Sequence, residues 1–393
     1  MYVNVAVLKE TQAHERRVAL VPSVVPKLLK LGAKLHMQAG AGEAIKLADA
    51  AFKDVVFIAD RSELVKDADV VLAVNAPALE VIDAMKEGAI LVSFIYEHKD
   101  PAVVHHLLAR KVTCFAMERV PRITRAQSMD ALSSQSALAG YYAVQLGSTA
   151  LARILPKITT AAGAIGPAHV LVMGLGVAGL EAVATAHRLG AVVEGYDVRP
   201  ATQEQVESLG ATFVDTGVDA TGKGGYARQL TPAEKTKVAA VLTAHLQKSD
   251  LVITTAAIPG KASPKLINHA QVAGMKAGAV IVDLSAEGGG NCEDTEPGAM
   301  TQVGQVTIVA PLNVPSLLGD DASELYSKNQ YHLLELIMKN NIITIDWTDE
   351  VLAKTCLTHA GTLHYEAPKP DQPVGSDKTT PPAKSAKPAA RAA

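Results

Sequence analysis

Residues that mark secreted, membrane-spanning or nucleic-acid-binding proteins are scarce in this sequence. Its three cysteines are scattered, so neither a disulfide framework nor a metal site is expected, and a reducing compartment is favoured. Only 4% of the residues are aromatic although 48% are hydrophobic, and such aliphatic composition is typical of buried parallel strands. The charges of the 37 basic and 40 acidic residues nearly cancel, so the chain lacks the net positive charge that is typical of nucleic-acid-binding proteins. The length, 393 residues, predicts two domains.

One long run without charge stands out. Residues 158–180 contain no Asp, Glu, Lys or Arg, and this length exceeds the roughly 20 apolar residues that span a bilayer. The run also contains five glycines and a proline, which predict a loop, a buried strand and a helix start instead of a membrane span. At the beginning of the chain, Val3–Leu8 predicts a strand and not a signal peptide, because no basic segment precedes an apolar run.

A glycine motif lies inside the uncharged run. The apolar stretch Val170–Met173 leads into Gly174-x-Gly176-x-x-Gly179, the spacing with which a strand turns into a helix beside a dinucleotide pyrophosphate. The first glycine permits the tight turn, the second lets the backbone approach the phosphates, and the third lets the helix pack on the sheet. The alternative is a helix start that needs small residues for packing alone.

The next predicted strand ends at a carboxylate. Asp197 follows Gly174 by 23 residues (197 − 174), where an acidic side chain accepts hydrogen bonds from an adenosine ribose. The same carboxylate repels a 2′-phosphate, so NAD is favoured over NADP. Arg199 weakens this preference, since a neighbouring arginine can hold a 2′-phosphate.

Strand and helix patterns alternate over most of the chain, which predicts an α/β fold with two Rossmann-like, doubly wound parallel-sheet domains flanking a nucleotide cleft. The predicted strands are Val3–Leu8, Lys34–Gln38, Val55–Ile58, Asp69–Val74, Ala89–Phe94 and Val112–Phe115, and then Val170–Met173, Val192–Tyr196, Thr212–Val214, Leu251–Thr254, Val280–Asp283 and Thr307–Val309. We expect a discontinuous first domain (1–135 plus 313–366) and a nucleotide-binding domain (136–312), connected by a long helix from Ser128 toward Ile154.

Two segments fall outside this alternation. Residues 217–229 form a polar, glycine-rich insertion, and loops of that kind are usually either disordered or functional lids. Residues 367–393 are rich in proline, alanine and lysine. They cannot bury a core, and we predict that they form a disordered tail.

A second polar segment, residues 122–133, lies between apolar stretches. Arg122, Gln127, Asp130 and Ser133 could converge on one polar ligand from a loop and the first turns of a helix. Alternatively, Asp130 favours a helix N-terminus through the helix dipole, and the arginines are solvated. Spacing alone does not decide between these two interpretations.

Several motifs together carry a resemblance to a known family. They are Pro121–Asp130, Leu132–Tyr141, Gly174–Gly179, Asp197–Arg199, Glu204–Gly210, Gly224–Ala227, Thr254–Gly260 and Gly288–Cys292. With them the chain resembles the NAD(H)-binding component, domain I, of proton-translocating NAD(P) transhydrogenases, in the alanine dehydrogenase/transhydrogenase family. The resemblance runs from Lys9 to about Thr358.

The resemblance implies which residues contact NAD. At the nicotinamide end it places Arg122, Ile123, Thr124, Gln127, Asp130 and Ser133, with Arg122, Gln127 and Asp130 as the catalytic candidates. At the pyrophosphate it places Gly174, Leu175, Gly176, Val177 and Gly179, and at the adenosine ribose Asp197, Val198 and Arg199. Gly225 and Ala257 line the cofactor site, and Tyr226 closes over bound nucleotide. Where some relatives have a glutamine that touches the cofactor, this chain has Val238.

Two positions distinguish the chain from alanine dehydrogenases, which resemble it in fold. Those enzymes hold the substrate carboxylate with a lysine before a Pro-containing turn, where this chain has Asn75. Their catalytic histidine aligns with Tyr96, and His98 faces elsewhere in a strand. Amine oxidation needs a base and a carboxylate clamp, whereas hydride transfer between two nicotinamides needs positioning and exclusion of water. The replacements therefore favour transhydrogenation.

The resemblance implies a Re/Si-specific transhydrogenase component that passes hydride from NADH to NADP⁺ on a partner subunit, while membrane partners translocate protons. Expected partners are a second copy of the chain, membrane-spanning transhydrogenase subunits and the NADP(H)-binding beta subunit. The expected location is cytoplasmic, on the inner face of the membrane. An alanine dehydrogenase-like oxidoreductase and a non-enzymatic NAD-binding regulator remain as alternatives.

Overall fold

The computed structural model describes residues 2–219, 228, 230–258 and 260–364. Most of the predicted insertion, with Gly225 and Tyr226, and the whole predicted tail, residues 367–393, lie outside the described residues.

Strands and helices alternate along the described chain. The strands are β1 (Val3–Val7), β2 (Ala33–Gln38), β3 (Val55–Ile58), β4 (Val70–Leu72), β5 (Ile90–Ser93), β6 (Thr113–Ala116), β7 (Ile158–Thr160), β8 (Gly163–Ile165), β9 (His169–Met173), β10 (Val192–Tyr196), β11 (Thr212–Phe213), β12 (Leu251–Thr254), β13 (Val280–Asp283), β14 (Met300–Val303), β15 (Val306–Val309), β16 (Met338–Lys339), β17 (Ile342–Ile343), β18 (Cys356–His359) and β19 (Thr362–Leu363). The helices are α1 (Val25–Lys30), α2 (Arg61–Val65), α3 (Leu79–Ala84), α4 (Pro101–Ala109), α5 (Ala131–Ala150), α6 (Val177–Arg188), α7 (Gln203–Ser208), α8 (Pro232–Lys248), α9 (His269–Ala273), α10 (Val314–Leu317), α11 (Gly319–Ile337) and α12 (Glu350–Thr355).

Two large sheets share one topology. The first has the order β19-β18-β6-β5-β4-β1-β2-β3, and the second has the order β11-β10-β9-β12-β13-β15-β14. In each, six parallel strands follow the 3-2-1-4-5-6 order of doubly wound dinucleotide-binding folds, and short antiparallel strands extend one edge. The predicted fold class is confirmed. Each sheet also has a crevice where the strand order reverses, between β1 and β4 in the first sheet and between β9 and β12 in the second.

Helices cover both faces of both sheets. In the first, α1, α11 and α12 pack on one face and α2, α3 and α4 on the other. In the second, α5, α6 and α7 cover one face and α8 and α9 the other. Thus α11, α12 and β18 return to the first sheet after the second is complete, as a discontinuous first domain requires. The boundaries proposed from the sequence stay a prediction.

Some elements differ from the sequence-based expectation. The long helix begins only at Ala131, after a 3₁₀ segment over Thr124–Met129, and it ends at Ala150. The uncharged run is divided into the β7–β8 hairpin, the buried strand β9 and the start of α6. Among the described residues, no helix combines the length and apolar character needed to cross a membrane. The edge strands β14, β18 and β19 have two to four residues, too few to show a period.

Candidate functional site

The glycine turn after β9 shows three different requirements for glycine. Gly174 has φ +97°, and a Cβ there would lie 2.8 Å from Thr255 Oγ1 and 2.9 Å from Ala256 N. A Cβ on Gly179 would collide with the carbonyl oxygen of Gly174. At Gly176, by contrast, a Cβ would meet no atom within 4 Å. Backbone conformation and packing therefore explain Gly174, packing alone explains Gly179, and Gly176 leaves space on the open side of the turn.

That open space lies at the N-terminus of α6. Gly176 is the residue before the helix and has no side chain to cap it, and the first turn of this fully described helix contains no acidic residue. The first N–H groups of a helix lack partners within it and carry its positive dipole end. The turn thus fits the pyrophosphate of a dinucleotide, with Leu175 and Val177 on either side of Gly176.

Asp197 stands at the end of β10 and is already bonded. Its Oδ2 accepts from the backbone N–H of Leu175 at 2.8 Å and from Arg199 Nη2 at 2.9 Å. Its Oδ1 accepts from the Arg199 backbone N–H and Nε, both at 2.9 Å. Four donors use the usual capacity of a carboxylate, so a ribose hydroxyl can bind Asp197 only when Arg199 releases an oxygen. In the structure Asp197 and Arg199 are therefore bonded to each other, although in the sequence Asp197 favours NAD and Arg199 weakens that preference.

In the second polar segment, Asp130 caps α5. Its Oδ1 accepts from the Ser133 backbone N–H at 2.9 Å, and its Oδ2 accepts from Ser133 Oγ at 2.5 Å. The helix-terminus interpretation of Asp130 therefore describes the contacts seen here. Arg122 and Gln127 are exposed, Gln127 within the 3₁₀ segment.

The packing of α5 brings the end of the 122–133 segment and the glycine turn, Gly174–Gly179, to one edge of the second sheet. Gly140 meets the beginning of α6, where a Cβ would collide with the carbonyl oxygen of Ala178, and Gly147 meets Leu251, the first residue of β12. Consequently α5 runs from the carboxyl edge of the sheet to its amino edge. Ser133, on the same helix face as Gly140, lies about 10 Å before it along the axis, beyond the start of α6. The capped end of α5 and the glycine turn therefore lie at the same edge of the second sheet.

The other predicted contacts occupy different environments. Ala257 is exposed in the loop after β12, and Val198 is partly buried beside Asp197. Asn291 holds the loop that contains Ala257, because its Oδ1 accepts from Ala256 N at 3.0 Å and its Nδ2 donates to Ala256 O at 2.8 Å. Val238 is buried in α8 against the second sheet, so its side chain belongs to the core.

The first sheet has its own crevice, and it forms part of a cleft of about 730 Å³. Glu10 and Asn75 each lie three residues beyond the ends of β1 and β4. Tyr96, Arg17 and the α5 residue Gln135 also line the cleft. The described lining residues do not include Arg122, Gln127, Asp130 or Ser133. Of α5, the cleft is lined by Leu132, Gln135, Ser136 and Ala139.

Neither replacement at the alanine dehydrogenase positions supplies a base or a cation. Asn75 Nδ2 donates to Glu10 Oε2 at 3.1 Å and to Glu15 Oε2 at 2.9 Å, so two carboxylates hold the amide. Tyr96 has φ +49°, and its backbone N–H donates to the buried Glu118. Burial raises the pKa of Tyr96 far above its usual value, so the phenol stays protonated at neutral pH.

Arg17, which also lines this cleft, is bonded to other side chains of the protein. Arg17 donates to Glu15 from Nε at 2.8 Å and from Nη2 at 2.7 Å, and from Nη1 to Gln135 Oε1 at 2.9 Å. Burial opposes the charge of Glu15, but the hydrogen bonds and charge of Arg17 lower its pKa to about 2. At Glu10 burial prevails and raises the pKa to about 7. Sequence reasoning missed this cluster because Gln135 is 118 residues from Arg17.

Comparison with known proteins identifies related chains. Family models described as the alanine dehydrogenase/PNT N-terminal and C-terminal domains match residues 6–139 and 143–366. An NAD(P) transhydrogenase subunit alpha chain of Rhodospirillum rubrum is 42% identical over 93% of this chain and 98% of its own length. The alanine dehydrogenase of Mycolicibacterium smegmatis is 29% identical over 92% and 95% of the two chains.

The fold agrees with a solved transhydrogenase. The crystal structure of transhydrogenase from Sinorhizobium meliloti matches with a TM-score of 0.80 and 40% identity, covering 92% of this chain and 98% of that chain. Both family models match, and together they span both sheets, so the chain belongs to the alanine dehydrogenase/PNT family.

Proposed function

We propose that this chain is the NAD(H)-binding component of a proton-translocating NAD(P) transhydrogenase. The observation that carries the proposal is the contrast between the crevices of the two sheets. The glycine turn of the second sheet is open at Gly176, while Asn75 and Arg17 at the first sheet are bonded to carboxylates. The likeness to the Rhodospirillum rubrum subunit supports the same assignment.

The glycine turn and the 122–133 segment would both hold the dinucleotide. The turn of Gly174, Leu175, Gly176, Val177 and Gly179 would bind the pyrophosphate, and Asp197, Val198 and Arg199 the adenosine ribose. The segment with Arg122, Ile123, Thr124, Gln127, Asp130 and Ser133 would orient the nicotinamide, and Ala257 with Gly225 and Tyr226 would complete the site. The proposal is supported by the start of α6 and the capped end of α5, which lie at the same edge of the second sheet.

The proposed reaction asks little acid–base chemistry of the protein. Bound NADH supplies a hydride, which NADP⁺ held by the beta subunit accepts in the Re/Si-specific manner. No N–H or O–H proton moves with the hydride, so the residues of this chain have to orient the ring and exclude water. Proton translocation belongs to the membrane-spanning subunits, which would place this chain at the cytoplasmic inner face.

An alanine dehydrogenase-like activity is the second candidate because the folds agree, and the cleft argues against it. Arg17 is tied to Glu15, Asn75 replaces a cation, and Tyr96 stays protonated. We expect no NADH formation from L-alanine and NAD⁺ by the purified chain. A non-enzymatic regulator would bind NADH but transfer no hydride to any partner.

The proposed homodimer has support in the β7–β8 hairpin. All six strand residues are exposed, and Ile158 and Ile165 are 40% and 54% exposed. A two-stranded ribbon without further packing is marginally stable, so a second copy covering it would account for its apolar character. We expect Ile165→Lys to shift the molar mass measured by light scattering from dimer to monomer, with Ala162→Lys in the hairpin turn as control.

The direct test combines this chain with the NADP(H)-binding partner. We expect oxidation of NADH to match reduction of NADP⁺ one for one, and only when both polypeptides are present. NADH binding without transfer would favour the regulator, and activity with L-alanine would favour the second candidate.

A further inference from the structure

Arg17 connects both segments that cross between the sheets. One crossing segment is α5, and the other is the stretch from β15 to α10, which contains Asn313. Arg17 donates to Gln135 of α5 at 2.9 Å and to Asn313 Oδ1 at 3.4 Å. Arg17 and Gln135 are only 6% and 5% exposed, so one buried guanidinium contacts both segments.

Asn313 extends this connection to the second sheet. Its backbone N–H donates to Glu287 Oε1 at 2.9 Å, and Glu287 follows β13 of the second sheet. Its side-chain amide donates to Glu15 Oε2 at 3.0 Å and to the carbonyl oxygen of His14 at 3.1 Å. Asn313 has φ +44°, a left-handed conformation that asparagine tolerates better than most residues.

Gln135 extends the connection to the segment that we assign to the nicotinamide. It lies five residues after Asp130, and its Nε2 donates to the carbonyl oxygen of Ala322 in α11 at 3.1 Å. The neighbouring Ser134 Oγ donates to Asn329 Oδ1 at 2.7 Å, and Asn329 Nδ2 donates to Ser128 O at 2.8 Å. Residues 128–135 are therefore fixed by the first sheet and its helices.

We propose that Arg17 is a positioning residue for hydride transfer. By bonding both crossing segments, its guanidinium sets where the 122–133 segment lies relative to the glycine turn. This inference rests on the proposed function. Reacting atoms must approach to about 3–3.5 Å, and a shift of about 1 Å can cost about 10²-fold in rate. The adenosine half is bound elsewhere, so NADH affinity should depend little on Arg17.

Two substitutions separate positioning from charge. Arg17→Lys keeps the positive charge beside Glu15, but a single ammonium cannot present a planar fork to Glu15, Gln135 and Asn313 together. Gln135→Leu leaves the Arg17–Glu15 pair intact and removes the acceptor on α5, together with the amide that donates to the carbonyl oxygen of Ala322. Gln145→Leu makes the same chemical change ten residues later on the same helix and serves as the matched control.

Single-turnover transfer in the reconstituted complex and NADH titration of the isolated chain test the proposal. We expect Arg17→Lys and Gln135→Leu to slow transfer by about ten- to a hundredfold. Their NADH dissociation constants should stay within about threefold, below about 0.7 kcal/mol. Gln145→Leu should change neither quantity. Wild-type transfer in both test variants, or an equal loss of affinity and rate, would overturn the positioning role.

A second readout keeps this inference separate from the proposed function. Amide hydrogen exchange over residues 128–135 of the isolated chain should accelerate in Arg17→Lys as well as in Gln135→Leu, and not in Gln145→Leu. Unchanged exchange overturns the positioning role whatever the complex does. Absence of transfer by the wild-type complex contradicts the proposed function itself, and accelerated exchange would then still show that Gln135 holds this segment.

Discussion

The two sheets have the same strand order, and each has a crevice where that order reverses. The residues at the two crevices differ in kind. At the second sheet the chain places glycine, and a helix N-terminus faces open space at Gly176. At the first sheet it places Glu10 and Asn75, with Glu15 and Arg17 beside them, and these groups bond one another. One crevice offers backbone donors to a ligand, whereas the other uses its charges within the protein.

We infer from this difference that the topology of a sheet determines where a ligand can bind, whereas the side chains at that place determine whether one binds. The rule that ligands bind at the carboxyl ends of strands where their order reverses applies to both sheets. In the first, Arg17 and Glu15 form a buried pair whose side chains are 7% and 1% exposed. Such a pair holds both side chains in place. If either group turned to bind a ligand, the other would stay buried as an unpaired charge.

The largest expected effect comes from breaking the buried pair. Glu15→Ala leaves the guanidinium of Arg17 buried without its carboxylate, and we expect a loss of about 3–5 kcal/mol in unfolding free energy. Denaturant unfolding measures this. Glu43→Ala, which removes the surface partner of Lys9, is the control and should cost about 1 kcal/mol or less. Equal effects of the two substitutions would contradict a structural role for the first crevice.

The two glutamates of the first crevice should respond oppositely to pH. The pKa of Glu10 is raised to about 7, so its folded form keeps a proton that the unfolded chain releases near pH 4.5, and stability falls as pH rises between these values. The decline should not exceed about 3 kcal/mol. Glu15, with a pKa of about 2, stabilises above pH 4.5 and loses that contribution as pH falls toward 2.

Unfolding of wild type and Glu10→Gln between pH 4.5 and 7 checks this expectation. The variant should lack the decline, since its amide does not titrate. A parallel decline in both proteins would mean that Glu10 titrates normally.

Within the glycine turn, we expect one alanine substitution to lower stability and another to weaken NADH binding. Gly179→Ala forces a Cβ against Gly174, and we expect a cost of about 1–3 kcal/mol. Gly176→Ala meets open space in the free protein and should leave stability within about 0.5 kcal/mol. It should nevertheless weaken NADH binding by at least about tenfold, or about 1.4 kcal/mol, because the methyl group occupies the approach of the pyrophosphate. Thermal unfolding and NADH titration of both variants provide the comparison.

The smallest effect concerns nucleotide choice. Asp197→Ala removes the carboxylate that repels a 2′-phosphate and releases Arg199, which can hold such a phosphate. We expect the preference for NADH over NADPH to narrow by about tenfold, or about 1.4 kcal/mol. Titration with both nucleotides measures the ratio, and Asp215→Ala, in the loop after β11, is the control. An unchanged ratio would remove Asp197 from the specificity argument.

Local spacing was enough to predict the glycine turn of the second sheet. Gly174, Gly176 and Gly179 act within one turn, so the spacing of neighbours predicts where the strand turns into the helix. The cap by Asp130 also acts over three residues, but spacing alone left it open beside a ligand contact. The alternating strands also predicted both sheets, since each parallel strand is a short aliphatic run.

The first crevice could not be predicted in the same way. Arg17 contacts Gln135 and Asn313 at separations of 118 and 296 residues, and no spacing rule connects them. The pair Asp197–Arg199 is local, but sequence does not tell which way a long arginine side chain turns. The antiparallel edge strands were missed because they are very short.

The central claim is that NADH bound at the glycine turn gives its hydride directly to NADP⁺ on a partner. The most direct measurement mixes this chain, loaded with NADH deuterated at the transferable position of C4, with the NADP(H)-binding partner in ordinary water. The account predicts NADPH that carries the deuterium, with none lost to solvent, because no protein group takes up the transferred atom. NADPH that contains hydrogen from water, or deuterium found in alanine when pyruvate and ammonia are supplied, would contradict it.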